Sequence, residues 1–127
     1  MLIGQTVFVP AAGDPGVVYD GPWMPRQGNN FTCVLEVMRE SSSGWDLKVD
    51  IETKNAEDSD AAATSIGNLT TSAVGTSTTN ISECLELVRY KYSFFGNSTD
   101  RWIHFRMNPP IWQPNRDIPW TSIFWAN

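Results

Sequence analysis

The chain has 127 residues, 41% of them hydrophobic and 18% charged, with a net charge of −5. That length is one domain, and a domain of this size buries roughly 65–70% of its unfolded surface, so it needs no metal or disulfide to fold. An acidic balance argues against a phosphate-gripping surface, which needs clustered Lys and Arg, and no apolar run is long enough to span a bilayer.

The charged share is low beside the usual ~25%. Twenty-two Ser and Thr residues fill part of the gap. Their hydroxyls compete with the helical backbone for hydrogen bonds, which favours strands and turns. The charge is also uneven. Residues 1–100 carry six basic and thirteen acidic groups, whereas 101–127 carry Arg101, Arg106 and Arg116 against Asp117. A positive end on a negative body suits head-to-tail pairing with a second copy. Residues 1–5 show no basic segment leading into a long apolar core, so export by a signal peptide is not expected. The chain is expected to be made in a cytosol, or in a particle assembled there. The sequons at Asn30, Asn68, Asn80 and Asn97 then read as by-products of a Ser/Thr/Asn-rich composition.

In chain order, residues 5–9 and 17–19 read as short strands, separated by a Pro/Gly loop at 10–16. A second loop, 21–30, follows. Its Trp23, Arg26, Gln27 and Asn29 form a candidate ligand contact, because Trp beside amides and Arg builds both sugar sites and interfaces. Residues 31–40 alternate Phe31, Cys33, Leu35 and Val37 with Thr32, Val34, Glu36 and Met38. Residues 45–52 alternate perfectly, with Trp45, Leu47, Val49 and Ile51 facing in. Four Ser/Gly residues join the two runs, which predicts a β-hairpin. Residues 59–80 are nearly all small and polar. Two weak strands are expected there, near 60–66 and 69–74, with turn signals at Gly67-Asn68 and Gly75. Strands this bland specify register poorly and suit edges or pairing with a neighbouring subunit. The run 81–94 alternates Val88, Tyr90, Tyr92 and Phe94 in its later part, and 101–107 alternates Ile103, Phe105 and Met107. A turn at 96–100 joins them into a second expected hairpin.

Seven or eight short strands indicate an all-β antiparallel sandwich or jelly roll over residues 1–107. Residues 108–127 are different. They hold four of the eight prolines and three of the six Trp. Proline at this density forbids helix and central strand, so the segment reads as an extended arm. In polyproline form its length reaches on the order of 60 Å. Large aromatics on such an arm need burial. Either the arm wraps its own sandwich or it docks on another subunit, where Trp is favoured. The candidate subunit interface comprises Trp102, Pro109, Pro110, Ile111, Trp112, Arg116, Pro119, Trp120, Phe124 and Trp125.

Chemistry-bearing clusters are sparse. The single histidine, His104, shares a strand face with Trp102 and Arg106 and reads as a solvent-side or interface residue. One His without a Cys–His–acid cluster gives neither a nucleophile triad nor a zinc site. Glu57, Asp58 and Asp60 offer oxygen ligands for Ca²⁺, but the spacing lacks the usual calcium-loop pattern and a solvated loop is expected. Cys33 and Cys84 read as buried thiols. The order Cys33, Trp45, Cys84 resembles the Cys…Trp…Cys order of immunoglobulin-like domains, although Ser82 stands where that family has a tyrosine. In overall character the chain resembles small virion proteins of tailed bacteriophages, of the capsid decoration or cement type. That resemblance implies a β-sandwich or jelly roll located in a virion. With no paired catalytic groups at readable spacing, neither enzymatic activity nor a cofactor is expected. The chain's partners would be copies of itself and a major capsid or other shell protein, with neither nucleic acid nor membrane among them. A carbohydrate- or host-surface-binding module, reading its ligand through the Trp23 loop and the Tyr90/Tyr92 strand, is the alternative.

Overall fold

The computed structural model describes residues 5–8 and 16–113. Ten strands lie in chain order: β1 (Gln5–Phe8), β2 (Gly16–Asp20), β3 (Met24–Pro25), β4 (Phe31–Glu40), β5 (Trp45–Lys54), β6 (Thr64–Thr71), β7 (Gly75–Ile81), β8 (Leu87–Gly96), β9 (Ile103–Met107) and β10 (Ile111–Trp112). One turn of 3₁₀ helix, Asp60–Ala62, precedes β6. All pairings are antiparallel. The first sheet runs β1-β9-β4, with β7 on the far side of β4 and β10 pairing the start of β4. The second runs β2-β8-β5-β6, with β3 also on β8.

The eight longer strands form four nested pairs: β1 with β9, β2 with β8, β4 with β7, and β5 with β6. The outermost strands of the chain pair together, then the next inward, and so on. A long hairpin with this nesting, rolled so that alternate strands fall in opposite sheets, is a jelly roll. The all-β sandwich expected from the sequence is therefore present.

The core follows from period-two alternation. Phe31, Cys33, Leu35 and Val37 of β4 meet Leu47, Val49 and Ile51 of β5 across the sandwich, with Tyr90, Tyr92 and Phe94 of β8 and Phe105 of β9. Phe8 packs on Phe105, Tyr92 and Phe94 with ring centroids 5.2, 6.0 and 6.2 Å apart. Rings this close pack edge to face or tilted, as their quadrupoles prefer.

The two expected hairpins are not formed. β4 and β5 lie in opposite sheets, and so do β8 and β9. Alternation states which residues face the core but not which sheet the next strand joins. The connection at 41–44 is long enough to jump the gap, because four residues reach up to ~13 Å and sheets pack ~10 Å apart. Gly44 turns this arch at φ +99°, and its carbonyl accepts from Asn97 N at 2.8 Å. Trp45 closes it by donating from Nε1 to Glu40 at 2.6 Å. The weak strands also shift. They run 64–71 and 75–81, and the turn falls at 72–74 rather than at Gly67-Asn68. Gly67 lies inside β6, paired with Ile51, where the Ile81 Cδ1 methyl occupies the space a Cβ would take. Ile81 ends β7, so residues 82–86 cross between sheets and β8 begins later than the sequence suggested. Both weak strands are sheet edges, as expected. Cys33 and Cys84 are free buried thiols, as expected, and Trp45 is buried, but the nested strand order is that of a jelly roll rather than of an immunoglobulin sandwich.

Thr53 fixes the 82–86 crossing. Its buried hydroxyl donates to Leu87 O and accepts from Leu85 N, both at 2.8 Å. Replacing it with an isosteric apolar residue leaves the part-buried Leu85 amide without its acceptor. Thr53→Val is expected to destabilise the fold by about 1–3 kcal/mol, read as a lower urea midpoint at unchanged slope. A variant as stable as the parent would show that the crossing does not depend on this hydroxyl.

Candidate functional site

Two segments singled out in the sequence meet at one end of the sandwich. The first is the 21–30 loop, which hangs on β8. Gly21 N donates to Tyr90 O at 2.8 Å, and a Cβ at Gly21 would sit 2.9 Å from that oxygen. Met24 pairs with Val88 and is buried, which turns its neighbours Trp23 and Pro25 outward. The second segment is the root of the arm. Asn108 N donates to Val34 O, β10 pairs with the start of β4, and Gln113 N donates to Asn30 O at 3.0 Å. Trp112 packs on the buried Phe31 ring at 4.7 Å. Gly28 allows the approach, since a Cβ there would lie 2.6 Å from Gln113 O.

Between these segments opens a cleft of about 410 Å³. Pro22, Trp23, Pro25 and Gln27 form one wall, Pro109, Pro110 and Trp112 the other, with Met24 at its base. Its volume lies within the range of small-ligand sites. The wall chemistry is two indoles and four pyrrolidines with a single side-chain amide. Such a surface offers flat apolar contact beside a comparable share of polar surface.

Trp23 does not move freely in this wall. Its Nε1 donates to Asp60 Oδ1 at 3.1 Å. Arg89 lies over its ring at 4.4 Å and Lys54 at 5.0 Å. Both cations are nearly buried, at 9% and 7% exposed. Arg89 is held by Glu52 at 2.8 Å and Lys54 by Asp60 at 3.1 Å. Two cations, two carboxylates and one indole form a charge-balanced cluster, in which partial burial strengthens the cation–π contact. Lys54 also donates to Asp58 O at 2.7 Å, which ties down residues 55–60.

The other sequence candidates fall elsewhere. Arg26 and Asn29 belong to the loop but turn away from the cleft. Arg26 Nη1 donates to Cys84 O at 2.8 Å and to Asn29 Oδ1 at 3.2 Å. Trp102 sits near the Ser41 arch, at the opposite end of β4 from Trp112, and its amide donates to Ser41 Oγ. Ile111 is exposed on the outer face beside Thr32. Arg116, Pro119, Trp120, Phe124 and Trp125 lie outside the described residues. Tyr90 and Tyr92 face the core rather than a ligand surface. His104 is half-buried on the outer face between Val7 and Arg39. Arg101 and Arg106, two of the charges that made the C-terminal end basic, are engaged locally with Asp100 and Glu36, each at 2.7 Å. Among the described residues, no group of three or more His, Cys, Asp or Glu residues can hold a metal ion. Compared with protein-family models, curated proteins and solved structures, the chain matches none.

The cluster beside the cleft makes a pH prediction. The Lys54 ammonium hydrogen-bonded to Asp60 holds its carboxyl below the usual range, with Trp23 and Arg89 assisting. Arg106 does the same for Glu36, and Ser98 and Arg101 for Asp100. A carboxyl lowered in the folded state stabilises it above the ordinary carboxylate range. That contribution is lost as pH falls through the folded value. Stability is therefore expected to be flat near neutrality and to fall below about pH 4, with Trp fluorescence reporting release of Trp23. Asp60→Asn is expected to remove part of this acid dependence. If its pH profile superimposes on that of the parent, the cluster contributes nothing to it.

Proposed function

We propose that this chain is a non-enzymatic structural subunit of a symmetric assembly. The kind of assembly it fits best is a virion, with the chain as a decoration or cement protein on a bacteriophage capsid, stabilising neighbouring subunits. The observation that carries the reading is the anchored root of the Pro/Trp-rich arm. The chain is bound to β4 through Trp112 and Gln113. The next residue is Pro114, and a residue before proline is biased to extended backbone. Beyond it the sequence holds Arg116, Pro119, Trp120, Phe124 and Trp125, large side chains that gain from burial. A neighbouring subunit is a surface that offers this burial. The jelly-roll architecture is compatible, being common in viral shell domains, although architecture alone does not decide function.

Light scattering on the full chain and on a chain ending at Gln113 tests the reading. The truncated chain retains the whole core cluster and is expected to keep its far-UV circular dichroism. Its assembly mass is expected to fall below that of the full chain. An unchanged mass would remove the arm from assembly. Loss of folding would mean that the arm wraps its own sandwich.

The cleft supports a second reading. Trp23 and Trp112 with Gln27 suit stacking on the apolar faces of a sugar ring, as a carbohydrate-binding module requires. Under that reading a glycan screen gives a hit, and Trp112→Ala weakens it by about tenfold or more, the loss of ~1.4 kcal/mol of ring contact. A screen without hits leaves the cleft to the arm root.

A further inference from the structure

The sandwich has two open sides, and they are protected differently. On one side lie β1 and β2, only 4 and 5 residues long. Pro10, Pro15 and Pro22 flank them, with Asp14 and Asp20 beside them. Short strands, prolines and charges are the usual means of blunting a sheet edge against pairing with another chain. On the other side lie β6 and β7, of 8 and 7 residues. Residues 64–81 contain neither a charged residue nor a proline. The β6 edge is interrupted, because the β5·β6 ladder shifts register between Ile51 and Glu52. The β7 edge is not. Its seven residues pair with β4 without a break, from Val37↔Gly75 to Phe31↔Ile81.

An edge strand in an antiparallel ladder points alternate N–H and C=O groups away from its sheet. Along β7, Thr76, Thr78 and Asn80 are exposed on the outer face, and Ser77 and Thr79 are half-buried on the inner one. The nearest charge on the outer face is Glu36, opposite Thr76, and it is neutralised by Arg106 at 2.7 Å. Among the described residues, this edge carries no unpaired charge to repel a copy of itself.

We infer that β7 is a self-pairing edge, which joins two copies of this chain about a two-fold axis into one continuous sheet. The two-fold requires antiparallel pairing of identical strands. One register pairs all seven residues, with Thr78 facing Thr78 of the second copy. In that register Thr76 faces Asn80 and Ser77 faces Thr79, so hydroxyls and amides oppose each other along the ladder, a favourable cross-strand pairing. This rests on the assembly reading in that it supplies the contact between copies, but it uses neither the arm nor the cleft.

The experiment is the mass of the full chain by light scattering across a concentration series. The parent is expected to associate in even-numbered steps. Thr78→Lys places two ammonium groups against each other at the axis and is expected to weaken association at least about tenfold. Thr78→Glu is expected to do the same. A 1:1 mixture of the two variants is expected to recover the mass, because Lys then faces Glu. Thr78→Val, uncharged and β-branched, is expected to associate as the parent does. Should Thr78→Lys melt before its mass is read, Thr76→Lys combined with Asn80→Lys replaces it, because those two positions face each other across the axis. A parent that stays monomeric at all concentrations overturns the self-pairing edge but leaves a subunit that binds only to its shell. Lys and Glu variants with parental mass overturn it while leaving assembly through the arm. Failure of the mixture to recover overturns the two-fold register.

Discussion

The ladder between β5 and β8 sets both the core and the cleft. It runs without a break through ten pairs, from Trp45↔Gly96 to Lys54↔Leu87. On its inner face Leu47, Val49 and Ile51 stand opposite Phe94, Tyr92 and Tyr90. On its outer face Glu52 stands opposite Arg89, whose guanidinium carries Trp23. A slip of one residue would exchange the faces. It would expose the aromatic row and remove the cation beneath Trp23 in the same step. β8 also bears β2 and β3 on its other side, so the 21–25 segment inherits its position from this register. The placement of the 21–25 segment is therefore a consequence of core packing, and the charge cluster then fixes Trp23 within it.

Polar chemistry in the molecule is divided by depth. Inside, burial pushes the Cys33 thiol up to about 12, and the Tyr90 and Tyr92 hydroxyls rise for the same reason. A thiol held protonated is a poor nucleophile and a poor metal ligand. At the rims the opposite holds, and Asp60, Glu36 and Asp100 are kept ionised by cations and donors beside them. These charges are consumed in local pairs.

Much of this was legible in the sequence, and the limits have physical causes. The inward rows of β4, β5, β8 and β9 followed from alternation and are buried as expected, because a pleated strand leaves no other arrangement of its side chains. The partner of each strand did not follow. A four-residue Ser/Gly link serves a hairpin or an arch between sheets equally well, and the choice is made by nesting of the whole chain. Gly67 misled because glycine marks a turn and also makes room for a close neighbour, here Ile81. At the cleft, Trp23 and Gln27 stood out by composition, but Trp112 was placed on an arm, and its contact with Phe31 required the fold. Lys54 and Arg89 were unreadable as members of a site. They lie 31 and 66 positions from Trp23 along the chain, on strands whose outward residues look like ordinary solvent charges.

The composition of β7 is not dictated by the fold. Thr76 and Thr78 are exposed on the outer face, and their side chains fill no core space. Lysine there would cost the monomer little, since surface substitutions usually fall within ±0.5 kcal/mol. It would also protect the edge, as charges and prolines do beside β1 and β2. The chain thus guards the edges where guarding coincides with short strands and leaves unguarded its longest unbroken one. All eight prolines fall at or before residue 25 or at and beyond residue 109. That distribution keeps the middle of the chain free to form ladders on both sides of every strand. On β4, β5, β8 and β9 both sides are occupied within the chain. Among the described residues one side of β7 is not, and a strand that is unbroken in its ladder with β4, neutral and free of proline has the composition a paired strand would have.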